Sequence, residues 1–127
     1  MDLTDKIALV TGAGSGLGAA AALTLAEAGA DLILVSRTKS ELDKVARQAR
    51  LKGRDALVFP ADTADDKQMR LLFAAIKKQF GHLDFVFANA GVNGVWAPSE
   101  QRKPKEWDDT IRNNLRGTYL TVHLAVP

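Results

Sequence analysis

The stretch Thr11-Gly12-Ala13-Gly14-Ser15-Gly16-Leu17-Gly18 constrains this chain more than any other, because it stands between the apolar run Ile7-Ala8-Leu9-Val10 and a long alanine-rich segment. An apolar run, a glycine turn and a helix-forming segment, in that order, let a backbone come close to a pyrophosphate. Glycine removes the Cβ atoms that would hold the phosphate away. The unpaired N–H groups of the first helical turn point at the anion, with the positive end of the helix dipole behind them. Gly14-x-Gly16-x-x-Ala19 fits the general dinucleotide fingerprint, with alanine in its last position. A triphosphate-gripping loop would need Gly-Lys-Ser/Thr, and no lysine lies between Lys6 and Lys39. The plainer alternative is a turn that serves only tight strand-to-helix packing.

With 127 residues, the chain is expected to form one domain, residues 1–127, able to bury a core of its own. Hydrophobic residues at 46% and charged residues at 25% are ordinary globular proportions. No apolar run approaches the roughly 20 residues of a membrane span, and the first six residues do not resemble a secretion signal. A soluble, cytoplasmic protein is the default expectation. Without cysteine there are no disulfides or thiolate metal sites, and His82 and His123 are too far apart in sequence to suggest a metal centre. Lys44, Arg47, Arg50, Lys52 and Arg54 cluster on and just after one amphipathic segment with no aromatic residues between them. They read as a solvated helix face, with a weak anion-binding surface as the alternative, and nucleic acid is not indicated.

Apolar residues at consecutive positions mark strands covered on both faces, as in a parallel sheet between helices. Such strands are expected at about residues 6–11, 32–35, 56–59 and 83–88. Helices are expected between them, ending at Gly29, Gly53 and Gly81, where glycine tolerates the left-handed conformation. Thr38 with Glu41, and Thr63 with Asp66, have the spacing of helix starts. An irregular stretch from Val92 to Lys103 precedes a last helix opened by Pro104. Trp107, Ile111, Leu115 and Tyr119 recur on it at intervals of four, reading as a packed stripe, and Leu120, Leu124 and Val126 broaden its apolar surface. Right-handed crossovers and the glycine turn imply an α/β, doubly wound parallel sheet in the order 3-2-1-4. A crevice then opens where Gly12 to Gly18 and Asn89 to Gly91 converge.

Taken in order, Thr11-Gly12-x-x-x-Gly16-x-Gly18, Asp62, Asn89-Ala90-Gly91 and Asn114-Leu115-x-Gly117 resemble the short-chain dehydrogenase/reductase family over the whole chain. The glycine spacing is similar to that of its single-domain branch. The resemblance implies a Rossmann fold and hydride transfer between a nicotinamide cofactor and a carbonyl or alcohol. It puts Gly12, Gly16 and Gly18 against the pyrophosphate, with Ser15 and Leu17 lining the same turn. Asp62 would take the adenine amino group, the backbone of Thr63 an adenine ring nitrogen, and Asn89, Ala90 and Gly91 would line the adenine ribose. Each position has a plainer use: Asp62 as a partner for the following helix dipole, Asn89-Ala90-Gly91 as a turn.

Cofactor choice has a physical handle at the end of the second strand. An NAD site carries a carboxylate there for the ribose 2′-hydroxyl, and it would repel a 2′-phosphate. Here the residues are Ser36-Arg37-Thr38, and a guanidinium pairs with phosphate, so NADP is favoured with NAD as the alternative. An exposed arginine leading into a helix is the plainer use of Arg37.

The family's acid–base chemistry is implied to need a tyrosine, a lysine four residues later and a serine. The chain's one tyrosine, Tyr119, is followed four places on by His123, and no lysine follows Lys105. Tyr119 is therefore expected in the core of the last helix. Of the family's catalytic set only Asn114 is present, where the resemblance implies a water held in a proton relay through the backbone of a locally distorted helix. Helix packing beside Asn113 is the alternative. Trp96 and Trp107 are candidates to touch substrate. Two readings follow: the cofactor-binding half of a reductase whose remaining strands and catalytic residues are missing through truncation, proteolysis or a separate polypeptide, or a complete non-catalytic dinucleotide-binding or interaction module. In either case the apolar last helix or the open edge of the fourth strand is expected to make the chain associate with itself.

Overall fold

The computed structural model describes residues 2–92 and 97–126; Trp96, singled out above, lies outside them. Four parallel strands, β1 (Ile7–Thr11), β2 (Asp31–Ser36), β3 (Ala56–Pro60) and β4 (Phe85–Ala88), form one sheet in the order β3-β2-β1-β4. This is the expected doubly wound Rossmann-like order. Three helices link them: α1 (Gly16–Glu27), α2 (Lys39–Leu51) and α3 (Asp66–Gln79). After β4 the chain passes through a short 3₁₀ turn at Ser99–Gln101 into α4 (Pro104–Ile111), a π-helical turn (Arg112–Arg116) and α5 (Gly117–Ala125).

The consecutive apolar residues of β1 and β2 divide between the two faces, since a strand's side chains alternate. Ala8, Val10, Leu32 and Leu34 join the core under α1 and α2. Ile7, Leu9, Ile33 and Val35 join a second core with Met69, Leu72 and Ile76 of α3, against which Leu124 of α5 packs. α1 buries only Gly18, Ala22 and Ala26, small residues that let it lie close to the sheet. Gly29, Gly53 and Gly81 follow α1, α2 and α3 with φ of 107°, 82° and 78°, the left-handed conformation expected of helix terminators.

Local bonding departs from the expected spacing at several points. Thr38 precedes α2 without a side-chain cap bond, and its N–H donates to Ser36 Oγ at 3.3 Å. Thr63 does not start α3. It is buried against Gly117, and Asp65 caps the helix by accepting from the Gln68 N–H at 2.9 Å. β4 begins at Phe85 rather than residue 83, because Asp84 brackets Ile7 instead: its carboxylate accepts from Ile7 N–H at 2.8 Å and its own N–H donates to the Ile7 carbonyl at 3.0 Å. The basic cluster is largely spent on the fold, with Arg50 and Arg54 donating to the carbonyls of Ala56 and Gly29, each at 2.8 Å, and Lys52 pairing with Glu27.

The stripe expected to pack lies outward. Trp107 and Tyr119 are each 56% exposed, and Ile111 and Leu115 are exposed with them. The buried side of α5 carries Gly117, Leu120 and Thr121 instead. A four-residue period identifies a stripe but not the side that faces the sheet, and here small side chains take the close approach. Phe85, Val86 and Phe87 of β4, the edge strand beside β1, are also exposed. No helix among the described residues is long and apolar enough to cross a membrane.

Two close approaches hold the ends of β1, β4 and α1 together. The buried Thr11 hydroxyl accepts from the N–H groups of both Asn89 and Ala90, each at 3.0 Å. A Cβ at Gly18 would collide with the Gly12 carbonyl oxygen, whereas one at Gly16 would meet nothing within 4 Å. Gly18→Ala is therefore expected to cost about 2 kcal/mol or more through forced backbone movement. Gly16→Ala would cost about 1 kcal/mol, the penalty of its left-handed φ of 56°. Urea unfolding midpoints compare the two, and a Gly16→Ala loss equal to or larger than that of Gly18→Ala would contradict the packing described. Thr11→Val, which keeps the shape but strands the Ala90 amide and leaves the Asn89 amide only its 2.9 Å bond to the Phe87 carbonyl, is expected to lose about 1 kcal/mol or more, with Thr11→Ser retaining most of the stability. Equal stability of the Val variant and wild type in the same measurement would mean that the Ala90 amide has another partner.

Candidate functional site

Winding reverses between β1 and β4, and a groove opens at the carboxyl ends of the strands. On one wall the turn after β1 exposes Gly12, Gly14 and Ser15. Gly12 takes a φ of 66°, and a Cβ there would come within 2.9 Å of Ala90 Cα, so the turn can lie against the β4 end only with glycine at this position. Gly16, open on its free side, begins α1, whose first amides follow the turn.

Ser36, Arg37, Asp62, Thr63, Ala90 and Gly91 line the same groove. The expected site residues thus meet in space although the chain separates them by as many as 79 positions (91 − 12). Four of the expected cofactor-binding residues contribute from outside the lining. Gly18 packs under the turn, Asn89 directs its Nδ2 toward Gly12 and Gly18, Gly16 sits at the helix start, and Leu17 is 78% exposed there. Arg37 is exposed and makes no hydrogen bond or ion pair among the described residues.

Asp62 is the most constrained charge in the groove. Its Oδ1 accepts from the Ala64 N–H at 3.0 Å, its Oδ2 accepts from Arg112 Nη1 at 2.7 Å, and its own N–H donates to Gln68 Oε1 at 2.7 Å. Partial burial pushes its carboxyl up, but the Ala64 amide, the Arg112 bond and charge and the charge of Arg37 outweigh that and hold it below the ordinary carboxylate range. A carboxylate so held stays ionised and acts as an acceptor. Asp62 also precedes α3, so the plainer use offered for it is compatible with this geometry but explains neither the Arg112 pair nor its place in the groove.

Asn114 lies inside the π-helical turn, the distortion expected there. Its side chain clamps the strand exit at both ends of one residue: Oδ1 accepts from Val92 N–H at 2.6 Å and Nδ2 donates to the Val92 carbonyl at 2.7 Å. Gly91 makes room, since a Cβ there would be 3.0 Å from Asn114 Oδ1. The Asn114 carbonyl accepts from Thr118 Oγ1 at 2.9 Å. Tyr119 does not line the groove; it is exposed and stacked on His123 with ring centroids 5.3 Å apart.

Sequence reasoning did not single out Thr11 as the residue that joins β1 to β4, nor Glu41, Asn113 and Arg112. Glu41, spaced as a cap for Thr38, leans over the turn instead, where a Cβ at Gly14 would come within 2.8 Å of its Oε2. Asn113 lines the groove from the last helix. A hydroxyl at the end of an otherwise apolar strand was the one available signal for Thr11.

Solved structures superpose closely on this arrangement. A 3-ketoacyl-ACP reductase from Sinorhizobium meliloti 1021 matches with a TM-score of 0.92 at 51% identity, over 95% of this chain and 48% of that one. An NAD+-bound xylitol dehydrogenase matches with a TM-score of 0.95 at 29% identity, over 98% and 48%. A metagenomic short-chain oxidoreductase in complex with NADP matches with a TM-score of 0.93 at 32% identity, over 98% and 57%. Relatives of this chain therefore bind NAD in one case and NADP in another. The chain spans about half the length of the curated oxidoreductases it matches, 53% of one that is 40% identical over 125 residues. Residues 6–127 match the family model described as short chain dehydrogenase, and with almost the whole sequence inside that match the chain belongs to the short-chain dehydrogenase family.

Proposed function

We propose that the chain binds a nicotinamide dinucleotide along the groove and serves as the cofactor-binding part of an oxidoreductase acting on a carbonyl or alcohol. The pyrophosphate would lie on the turn of Gly12, Ser15, Gly16, Leu17 and Gly18 and on the first amides of α1. The adenosine would lie toward Ser36, Arg37, Asp62 and Thr63, with Asn89, Ala90 and Gly91 beside its ribose. The observation that carries this reading is the meeting of the glycine turn, the free Arg37 and the ionised Asp62 in one groove at the switch point of the sheet. Bound there, the dinucleotide would supply or accept a hydride at its nicotinamide ring.

The residues of this chain would bind and orient rather than exchange the reaction's proton. Asn114 fixes Val92 at the groove's rim and belongs to the positioning of that end, with its backbone as the candidate water holder. Tyr119 is stacked on His123, away from the groove, which supports binding without turnover by these residues alone. Trp107 is exposed on the last helix and does not line the groove.

NADP is the preferred cofactor in this reading. Ser36 stands where a carboxylate would exclude a 2′-phosphate, and Arg37, with no partner to give up among the described residues, is available to pair with one. The exposed apolar side chains of α4, α5 and β4 support self-association through that helix face or that strand edge.

Calorimetric titration is expected to show NADPH binding about tenfold or more tightly than NADH, with Arg37→Asp reversing the order. Equal affinities of the wild-type chain for the two would discard the role given to Arg37. Light scattering on the purified chain is expected to report a dimer or larger species. A monodisperse monomer, with nothing added, would reject self-association.

A further inference from the structure

The last helix reaches the adenine side of the groove through an ion pair that the family resemblance did not supply. We propose that Arg112 is a positioning residue for adenine recognition, holding the Asp62 carboxylate toward the groove as acceptor for the adenine 6-amino group. The inference deepens the reading of Asp62 given above and rests on it.

The Asp62 carboxylate is tied at both oxygens. The Ala64 amide engages Oδ1 from the same loop, and Arg112 Nη1 engages Oδ2 at 2.7 Å from 50 residues away. With the amide alone the second oxygen is free to turn, whereas two donors from different elements leave one orientation. A carboxylate has about four lone-pair sites, so both donors can be satisfied while an acceptor site remains for a ligand. The pair is sheltered but reachable, with the Asp62 side chain 21% exposed and that of Arg112 42% exposed. One turn later on the same helix, Arg116 Nε donates to the Ala64 carbonyl at 3.0 Å, so the loop that carries Asp62 is bracketed twice by one element.

Arg112 also settles a competition between charges. Arg37 lines the same groove and acts electrostatically on Asp62. With the Oδ2 atom already paired, Asp62 does not draw Arg37 away from the ribose side, and one guanidinium orients the acceptor while the other stays available for a ligand.

The test uses the full chain, NADP+ and nicotinamide hypoxanthine dinucleotide phosphate, in which the adenine amino group is replaced by a carbonyl that a carboxylate repels. Wild type is expected to prefer NADP+ by about tenfold or more, the range of a hydrogen bond to a charged group. In Arg112→Ala that preference should fall to about threefold or less, with affinity for the hypoxanthine ligand little changed and the fold checked by circular dichroism. Arg112→Lys, which keeps the charge and a donor, should recover most of it. Equal weakening of both ligands, with the preference unchanged, would overturn the positioning role and leave Arg112 a fold-stabilising residue. Absence of a preference in wild type would instead overturn the reading of Asp62, and the inference with it. Should Arg112→Ala not fold, Arg112→Gln, too short to reach Asp62, decides the matter: a preserved preference overturns the proposal and a lost one supports it.

Discussion

One hydroxyl group holds the switch point of this sheet together. Thr11 ends β1, and its Oγ1 accepts from the amides of Asn89 and Ala90 just beyond β4, where no further ladder bond is formed. Backbone amides left without a partner cost stability, so this acceptor, together with the Phe87 carbonyl that also takes the Asn89 N–H at 2.9 Å, lets β4 stop where it does and lets the chain turn away at the mouth of the groove. Gly12 follows directly, in a conformation that brings its carbonyl under Gly18 and its Cα against Ala90. The turn before α1 and the turn after β4 are therefore one packed unit, and the helix amides are aimed by the same contacts that close the sheet.

On the other side of the groove the organising force is charge. Three arginines and two carboxylates share a small volume, but they are not interchangeable. Asp62 is oriented by Ala64 and Arg112, Arg116 is turned to a carbonyl, Glu41 lies over the glycine turn, and Arg37 stands unpaired among the described residues. The free cation is next to Ser36, where related sites that favour the unphosphorylated cofactor place a carboxylate.

Much of the fold was legible because its signals are local or periodic. Apolar runs at Ile7-Ala8-Leu9-Val10 and Leu32-Ile33-Leu34-Val35 could only be strands covered on both sides, and the terminating glycines fixed where α1, α2 and α3 end. The site residues were legible through ordered motifs, since Gly12, Asp62 and Gly91 each carry a recognisable neighbourhood. What escaped was set by partners distant in sequence. Nothing in the spacing of Thr38 and Glu41 reveals that the Thr38 N–H would turn to the Ser36 hydroxyl or that the Glu41 side chain would lie against Gly14. Nothing near Asp62 points to Arg112, 50 residues on. Tyr119 was misplaced because a helical period identifies a stripe, while the small residues Gly117 and Thr121 decided which side met the sheet.

The π-helical turn at Arg112–Arg116 concentrates these long-range ties, with Asn114 on Val92 and the two arginines on residues 62 and 64. Such a turn holds one residue more than an α-helical turn. Deleting a single residue from it would restore ordinary pitch and, because the turn itself absorbs the extra residue, leave Leu120 and Thr121 facing as they do now. The cost of that deletion would fall inside the turn, where Asn114 and the two arginines owe their placement on both loops to the extra residue, and the rest of the helix from Pro104 to Ala125 would keep its phase.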